Sequence, residues 1–402
     1  MHILFVHQNF PAQFGHIASF LVRTGRFKCT FVSRTAPGEV GGVRKIQYDV
    51  KGGATRTNHY FSRTFENTVW HSWGVYEACR AAKDLKPDLV VGHSGFGSTL
   101  YLNELWRKTP VVNYFEYYYH TRGSDLDFRR EFPSRSVDLL RAKTRNAMIL
   151  LDLQNCKAGY SPTQWQRSQF PPDYQTKIEC IFDGIDTTLY QRRLGIERKV
   201  GDRVIPPDTR IVTYVSRGFE SMRGFDIFMK VAKKIYTAYP KVVFVCVGSE
   251  RTCYGNDLRF IKTKTFKEHV LAQDEYDLSK FIFTGLVSPR KLVDIMSMGD
   301  LHIYLTVPFV LSWSLVDALS CGCTVLASDT APVREFITSG RNGFLEGFYD
   351  MDKLAERALL VLEAPEKYRE LGVAGANLVR QRYDLRKTLP RLLRLFEQAL
   401  EG

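Results

Sequence analysis

The chain has 402 residues, enough for two domains of ordinary size, each burying its own core. Apolar residues at 44% and charged ones at 25% exclude a disordered chain. The net charge of +13 asks for an anionic partner, whether nucleotide phosphate, nucleic acid or an anionic membrane surface, and does not choose among them.

The chain opens on a strand over residues 2–7, where residues 3–6 read as a short buried strand rather than a signal-peptide core, so no secretory leader is expected. A loop with Pro11 and Gly15 follows, then an amphipathic helix over 16–23. Residues 28–33 form a second strand, 34–63 a polar glycine-rich stretch, and 65–83 a helix. Residues 88–92 and 110–114 are the next buried strands. His93 follows the first of these and Glu116 the second. Both fall at carboxyl ends of strands, the edge where doubly wound sheets bind ligands. For His93 alone, a structural histidine and a ligand-contacting one are both open. For Tyr117, Tyr118 and Tyr119, sugar stacking competes with ordinary packing. The basic series between Arg122 and Arg145 reads as a solvated face diluted by Asp125, Asp127, Glu131 and Asp138, with a cationic lip for an anionic acceptor or lipid headgroups as the other reading.

Short β and α segments continue to about residue 186. A polar, basic linker is expected over 189–208, ending in Pro206-Pro207. A strand over 210–215 then feeds a loop carrying Arg217 and Arg223. Cations on a loop leaving a parallel strand suit a diphosphate leaving group, although paired arginines on loops are also common surface features. After strands at 242–248 and 281–285 comes a βαβ unit over 301–347. In it Ser312, Trp313 and Ser314 open a helix whose free N–H groups can meet an anion, and Asp317, about a turn later, suits a ribose diol. The end of the chain is largely helical, with Pro390 expected in the first turn of the last helix. The longest apolar run, 303–319, is broken by Thr306, Pro308, Ser312, Ser314 and Asp317 and does not span a bilayer. Eight scattered cysteines, with no zinc-type spacing, read as reduced structural thiols.

This β/α alternation alone predicts an α/β chain of two doubly wound domains. At residues 312–347 the sequence resembles the family-4 retaining glycosyltransferases of the GT-B fold. Their motif is of the kind E-x-F-G-L-x-x-x-E-A-M-A-C-G-x-P-V-V-A-S, followed by a G-x-x-E loop and a G-x-x-G-x-L strand. Residues 317–322, DALSCG, match E-A-M-A-C-G; Ala331 to Glu335 match the G-x-x-E loop; Asn342 to Leu345 match the end. Residues 216–224 resemble the family's G-R-x-x-x-x-K-G loop with one extra residue, and 183–186, DGID, its N-G-V-D. Two departures stand out. Asp317 replaces the motif's second glutamate, and Phe309 stands where the first, sugar-associated one would be.

The resemblance implies two Rossmann-like domains facing a cleft, an acceptor-binding one over 1–190 and a nucleotide-sugar-binding one over 209–380, with a C-terminal helix (381–402) crossing back to the first. It implies a retaining, hexosyltransferase-type enzyme moving a sugar from a nucleoside diphosphate sugar to an acceptor hydroxyl. Arg217, Arg223, Glu116 and His93 would be its catalytic residues, and Gly15, Ser312, Trp313, Ser314 and Asp317 would hold the donor. A plain turn remains the other reading of Gly15. No bound cofactor and no metal are expected, because arginines carry the charge work. The acceptor is a carbohydrate, a small molecule or a lipid-linked compound, and nucleic acid is not expected. The location implied is cytoplasmic, with peripheral contact at an anionic inner membrane face left open by the charge. Two rival readings are a sugar-nucleotide 2-epimerase of the same fold and a non-catalytic binding protein or scaffold with a decayed site.

Overall fold

The computed structural model describes residues 1–401. They form two compact units. The first comprises Met1–Arg122, Ser134–Asp183 and the C-terminal stretch from Thr388; the second comprises Gly123–Pro133 and Gly184–Lys387.

In the first unit eight strands make one sheet: β1 (His2–Val6), β2 (Lys28–Ser33), β3 (Gly38–Val40), β4 (Val43–Gln47), β5 (Leu89–His93), β6 (Val111–Tyr114), β7 (Ala158–Ser161) and β8 (Ile178–Cys180). Their order is β3-β4-β2-β1-β5-β6-β7-β8, and every neighbouring pair is parallel except β3 with β4. Strands β1, β5 and β6 are almost continuously apolar because helices cover both faces of a parallel sheet. From β1 the chain winds outward to β4 on one side, then returns to β5 and winds outward on the other. The switch point therefore lies between β1 and β5, where strand ends diverge and leave a crevice.

The second unit begins with a small antiparallel hairpin, β9 (Lys199–Val200) and β10 (Arg203–Val204). Its sheet holds β11 (Arg210–Gly218), β12 (Val242–Ser249), β13 (Phe281–Gly285), β14 (Leu301–Tyr304), β15 (Val325–Ser328) and β16 (Phe344–Glu346). The order β13-β12-β11-β14-β15-β16 is parallel throughout, which puts a second switch point between β11 and β14.

Several segments differ from the sequence reading. The polar stretch 34–63 contains the edge strand β3, exposed throughout, and its inner neighbour β4, hidden because both bury little: on β4 Val43 is buried while Arg44, Lys45 and Ile46 are only half-buried. Residues 189–208, expected as a linker, contribute Val200 and Ile205 to a core cluster with Ile211, Val243 and Val245. Residues 123–133, read within the first domain, make their contacts in the second unit. Pro390 lies inside the helix Leu385–Glu401 rather than in its first turn. That helix starts early because the Asp384 carboxylate accepts the Arg386 backbone N–H at 2.7 Å. The stripe Leu389, Leu392, Leu395, Phe396 and Ala399, all buried, outweighs the one hydrogen bond proline forgoes. All eight cysteines are free thiols, and no helix among the described residues is long and apolar enough to cross a membrane.

Candidate active site

At the switch point of the second unit, β11 runs out into Glu220 and a short turn, Ser221–Arg223, closed by Gly224 at φ 62°. Glycine is needed at 224 on two counts. The left-handed conformation disfavours a side chain, and a Cβ would stand 2.8 Å from the Leu305 Cβ. The turn carries Arg223 inward. Its guanidinium donates to the Thr306 hydroxyl at 2.6 Å and to the Val310 carbonyl at 3.1 Å, both on the loop after β14. The Tyr214 hydroxyl fixes the Arg223 backbone by donating to its carbonyl at 2.7 Å. Arg223 is 4% exposed and, among the described residues, makes no ion pair with a carboxylate. Its direct hydrogen bonds go to neutral oxygens, and the buried Glu220 carboxylate acts on it electrostatically from within the same turn region.

The helix Trp313–Ser320 begins beside that loop. Ser312 caps it, accepting from the Ser314 N–H at 3.4 Å, and the Ser312 N–H is itself pinned to the Tyr304 hydroxyl at 3.0 Å. Asp317 lies one turn into the helix, 8% exposed, on the same face as Trp313. Burial pushes its carboxyl pKa up to about 8. Tyr254 and Phe309 close the neighbourhood. The Tyr254 ring lies 5.1 Å from the Arg223 guanidinium carbon and 5.7 Å from the Phe309 ring. Glu220, fully buried, holds the Tyr254 loop by accepting backbone N–H groups from Cys253, Tyr254 and Gly255 at 2.8–3.0 Å. Arg217, near the end of β11, has an exposed side chain, and its carbonyl accepts from the Ser249 hydroxyl at 2.7 Å.

At the switch point of the first unit, the β5/β6 register pairs His93 with Tyr114, and Glu116 two residues on faces the histidine. The His93 Nε2 is 3.5 Å from a Glu116 carboxylate oxygen. His93 Nδ1 sits 2.8 Å from the Ser94 carbonyl, an acceptor only, so Nδ1 carries a proton and Nε2 is the ring nitrogen turned toward Glu116. Burial raises the Glu116 pKa, but His93, His7 and the Gln13 amide at 3.2 Å outweigh it and leave the carboxyl below its ordinary value. The pair lines a cavity of about 190 Å³ together with Tyr117, Tyr119 and Arg145. Gly15 opens the neighbouring helix Gly15–Arg23, and a Cβ there would stand 2.2 Å from the Pro11 Cβ, so local packing already demands a glycine.

Each group of site residues proposed from the sequence thus gathers within one unit: Glu116 with His93 in the first, Arg223 with Ser312, Ser314 and Asp317 in the second. Sequence reasoning missed Gln13, Tyr254, Thr306 and Glu220. Each acts through contacts with residues distant in sequence or on another loop, which no local motif announces.

Two doubly wound α/β units, the second with a buried guanidinium beside a helix N-terminus at its switch point, define a two-domain class of the Rossmann type. Residues 25–190 match the family model described as Glycosyl transferase family 4 group, and residues 196–378 that described as Glycosyl transferases group 1. The chain belongs to the family-4 glycosyltransferases of the GT-B fold. It is 21% identical over 208 residues to N-acetyl-alpha-D-glucosaminyl L-malate synthase of Bacillus anthracis, covering 51% of this chain and 50% of that one. The chain spans about half the length of the curated relatives it matches, or less. Among solved structures, sucrose-phosphate synthase from Thermosynechococcus elongatus superposes with a TM-score of 0.72 at 15% identity, over 99% of this chain and 98% of that one. HepE from Anabaena, in complex with UDP and glucose, gives 0.71 at 15% identity, over 99% and 100%. These likenesses establish the fold.

Proposed function

We propose that the chain is a retaining glycosyltransferase of hexosyltransferase type, taking a sugar from a nucleoside diphosphate sugar to an acceptor hydroxyl. Residues 209–380 bind the donor and residues 1–190 the acceptor. The observation that carries this reading is Arg223, buried and hydrogen-bonded to neutral oxygens, beside the capped N-terminus at Ser312. A diphosphate supplies a direct counter-charge, and its charge grows as the bond to the sugar breaks, so the attraction is strongest in the transition state.

In this reading Arg217 joins Arg223 at the departing diphosphate, the positive end of the helix that opens at Ser312, Trp313 and Ser314 attracts its oxygens, and Asp317 accepts from the ribose hydroxyls. Glu116 and His93 serve the sugar and the acceptor. The acceptor oxygen bonds to the anomeric carbon as the bond to the leaving phosphate breaks. The acceptor proton passes to that phosphate on the same face, so the configuration is kept. UDP-sugars are the first donors to test, since HepE was solved with UDP and glucose. Incubation with an α-linked nucleotide sugar and a hydroxyl acceptor, followed by NMR of the product's anomeric proton, should show an α-linkage. A β-linked product would contradict retention.

A further inference from the structure

The cavity of the first unit has a chemical polarity of its own. One wall is the helix Arg63–Ala81, which turns Thr64, Asn67, Thr68 and His71 toward it. These positions recur at i, i+3, i+4 and i+7 and make one continuous face of the helix, polar where a core-packing face would be apolar. The opposite wall is the helix Ser136–Asn155, which presents Arg145.

Arg145 is half-buried and, among the described residues, ion-pairs with no carboxylate. It lies flat on Tyr119, 3.6 Å from the ring centre, and donates to the Tyr119 hydroxyl at 2.6 Å. The next residue, Asn146, brackets the Tyr119 backbone by accepting its N–H and donating to its carbonyl, each at 2.9 Å, so the Arg145 and Tyr119 pair is rigidly placed. A second guanidinium, Arg141 one turn earlier on the same helix as Arg145, donates to the Thr64 hydroxyl at 2.6 Å. Thr64 accepts there and keeps its own O–H to give. The lining thus combines the donors Arg145 and Thr64 with the Glu116 carboxylate and His93.

We propose that this cavity takes a small acceptor carrying both a hydroxyl and an anionic group, a hydroxycarboxylate or a phosphate monoester. Arg145 and Thr64 grip the anion, and the hydroxyl lies toward Glu116 and His93. A free acid and a sugar or polyol phosphate share this chemistry. At about 190 Å³ the cavity is below the usual size for drug-sized ligands, which suits such a compound. The inference rests on the proposed glycosyl transfer for the word acceptor; the anion site stands on its own contacts.

The test is calorimetric titration of the full chain with glycerate, malate and glycerol 3-phosphate against glycerol, their neutral counterpart, with a melting scan against nucleotides run in parallel. The anionic probes should bind at least tenfold more tightly than glycerol. Arg145→Ala should remove that preference and leave the nucleotide response of the second unit intact, and Arg145→Lys should restore part of it. Preference for glycerate or malate over glycerol 3-phosphate assigns a carboxylate, and the reverse a phosphate. Equal binding of glycerol, or an Arg145→Ala effect equal on charged and neutral probes, overturns the proposal. Loss of the nucleotide response with the anion preference kept would instead sink the transferase reading and leave the site standing.

Discussion

Asp317 shows how a buried carboxyl can weaken a fold. Its carboxyl titrates near 8 because burial penalises the charge and no partner offsets it. An acid whose pKa is raised on folding contributes fully at low pH, and that contribution is lost as pH climbs from the unfolded value near 4 through about 8. Asp317→Asn keeps the shape and removes the charge. The variant should gain on the parent across that window by up to about 1.4 kcal/mol per pH unit, visible as a melting gap that widens by roughly 2–4 °C per kcal/mol. A gap independent of pH would show that Asp317 is solvated. Asp317 and Arg223 were legible because their motifs are local in sequence. Tyr254 and Gln13 were not, because their roles come from contacts across the fold: Tyr254 on the Arg223 guanidinium, Gln13 on Glu116.

Among elements, the turn Ser221–Arg223 repays close reading. It is held from two sides. Asp257 accepts the Ser221 N–H at 2.9 Å and its hydroxyl, and Arg129 donates to the Ser221 carbonyl. Arg129 also forms a bidentate pair with Asp226, at 2.6 and 3.2 Å, among the rings of Phe132 and Phe348. Arg129→Ala leaves Asp226 buried and unpaired, which should cost about 3–5 kcal/mol in denaturant unfolding of the second unit. Nucleotide affinity should fall with it as the turn loosens. A loss under 1 kcal/mol would mean that water replaces the guanidinium. In the sequence Arg129 was one member of a basic series with nothing to single it out. The strands β5, β6, β11 and β12 were legible as mainly apolar runs, whereas the exposed edge strand β3 and its neighbour β4, with Arg44 and Lys45, lack that pattern.

At the scale of the molecule, each unit repeats one plan, a parallel sheet wound outward from a switch point with its reactive side chains at the crevice. That plan was predictable from β/α alternation, as was which sequence motifs fall at strand ends. What alternation could not give is membership: residues 123–133 belong by contact to the second unit although they lie between elements of the first. The central claim is that the second unit binds a nucleoside diphosphate through Arg223. The most direct measurement is a melting scan with UDP, GDP, ADP, TDP and CDP, on the parent and on Arg223→Ala. Saturation at a hundred times the dissociation constant stabilises by about 2.7 kcal/mol, a shift of roughly 5–10 °C. The account predicts that shift for one of these nucleotides and its loss in Arg223→Ala. No shift with any of them, or an equal shift in the variant, would contradict it.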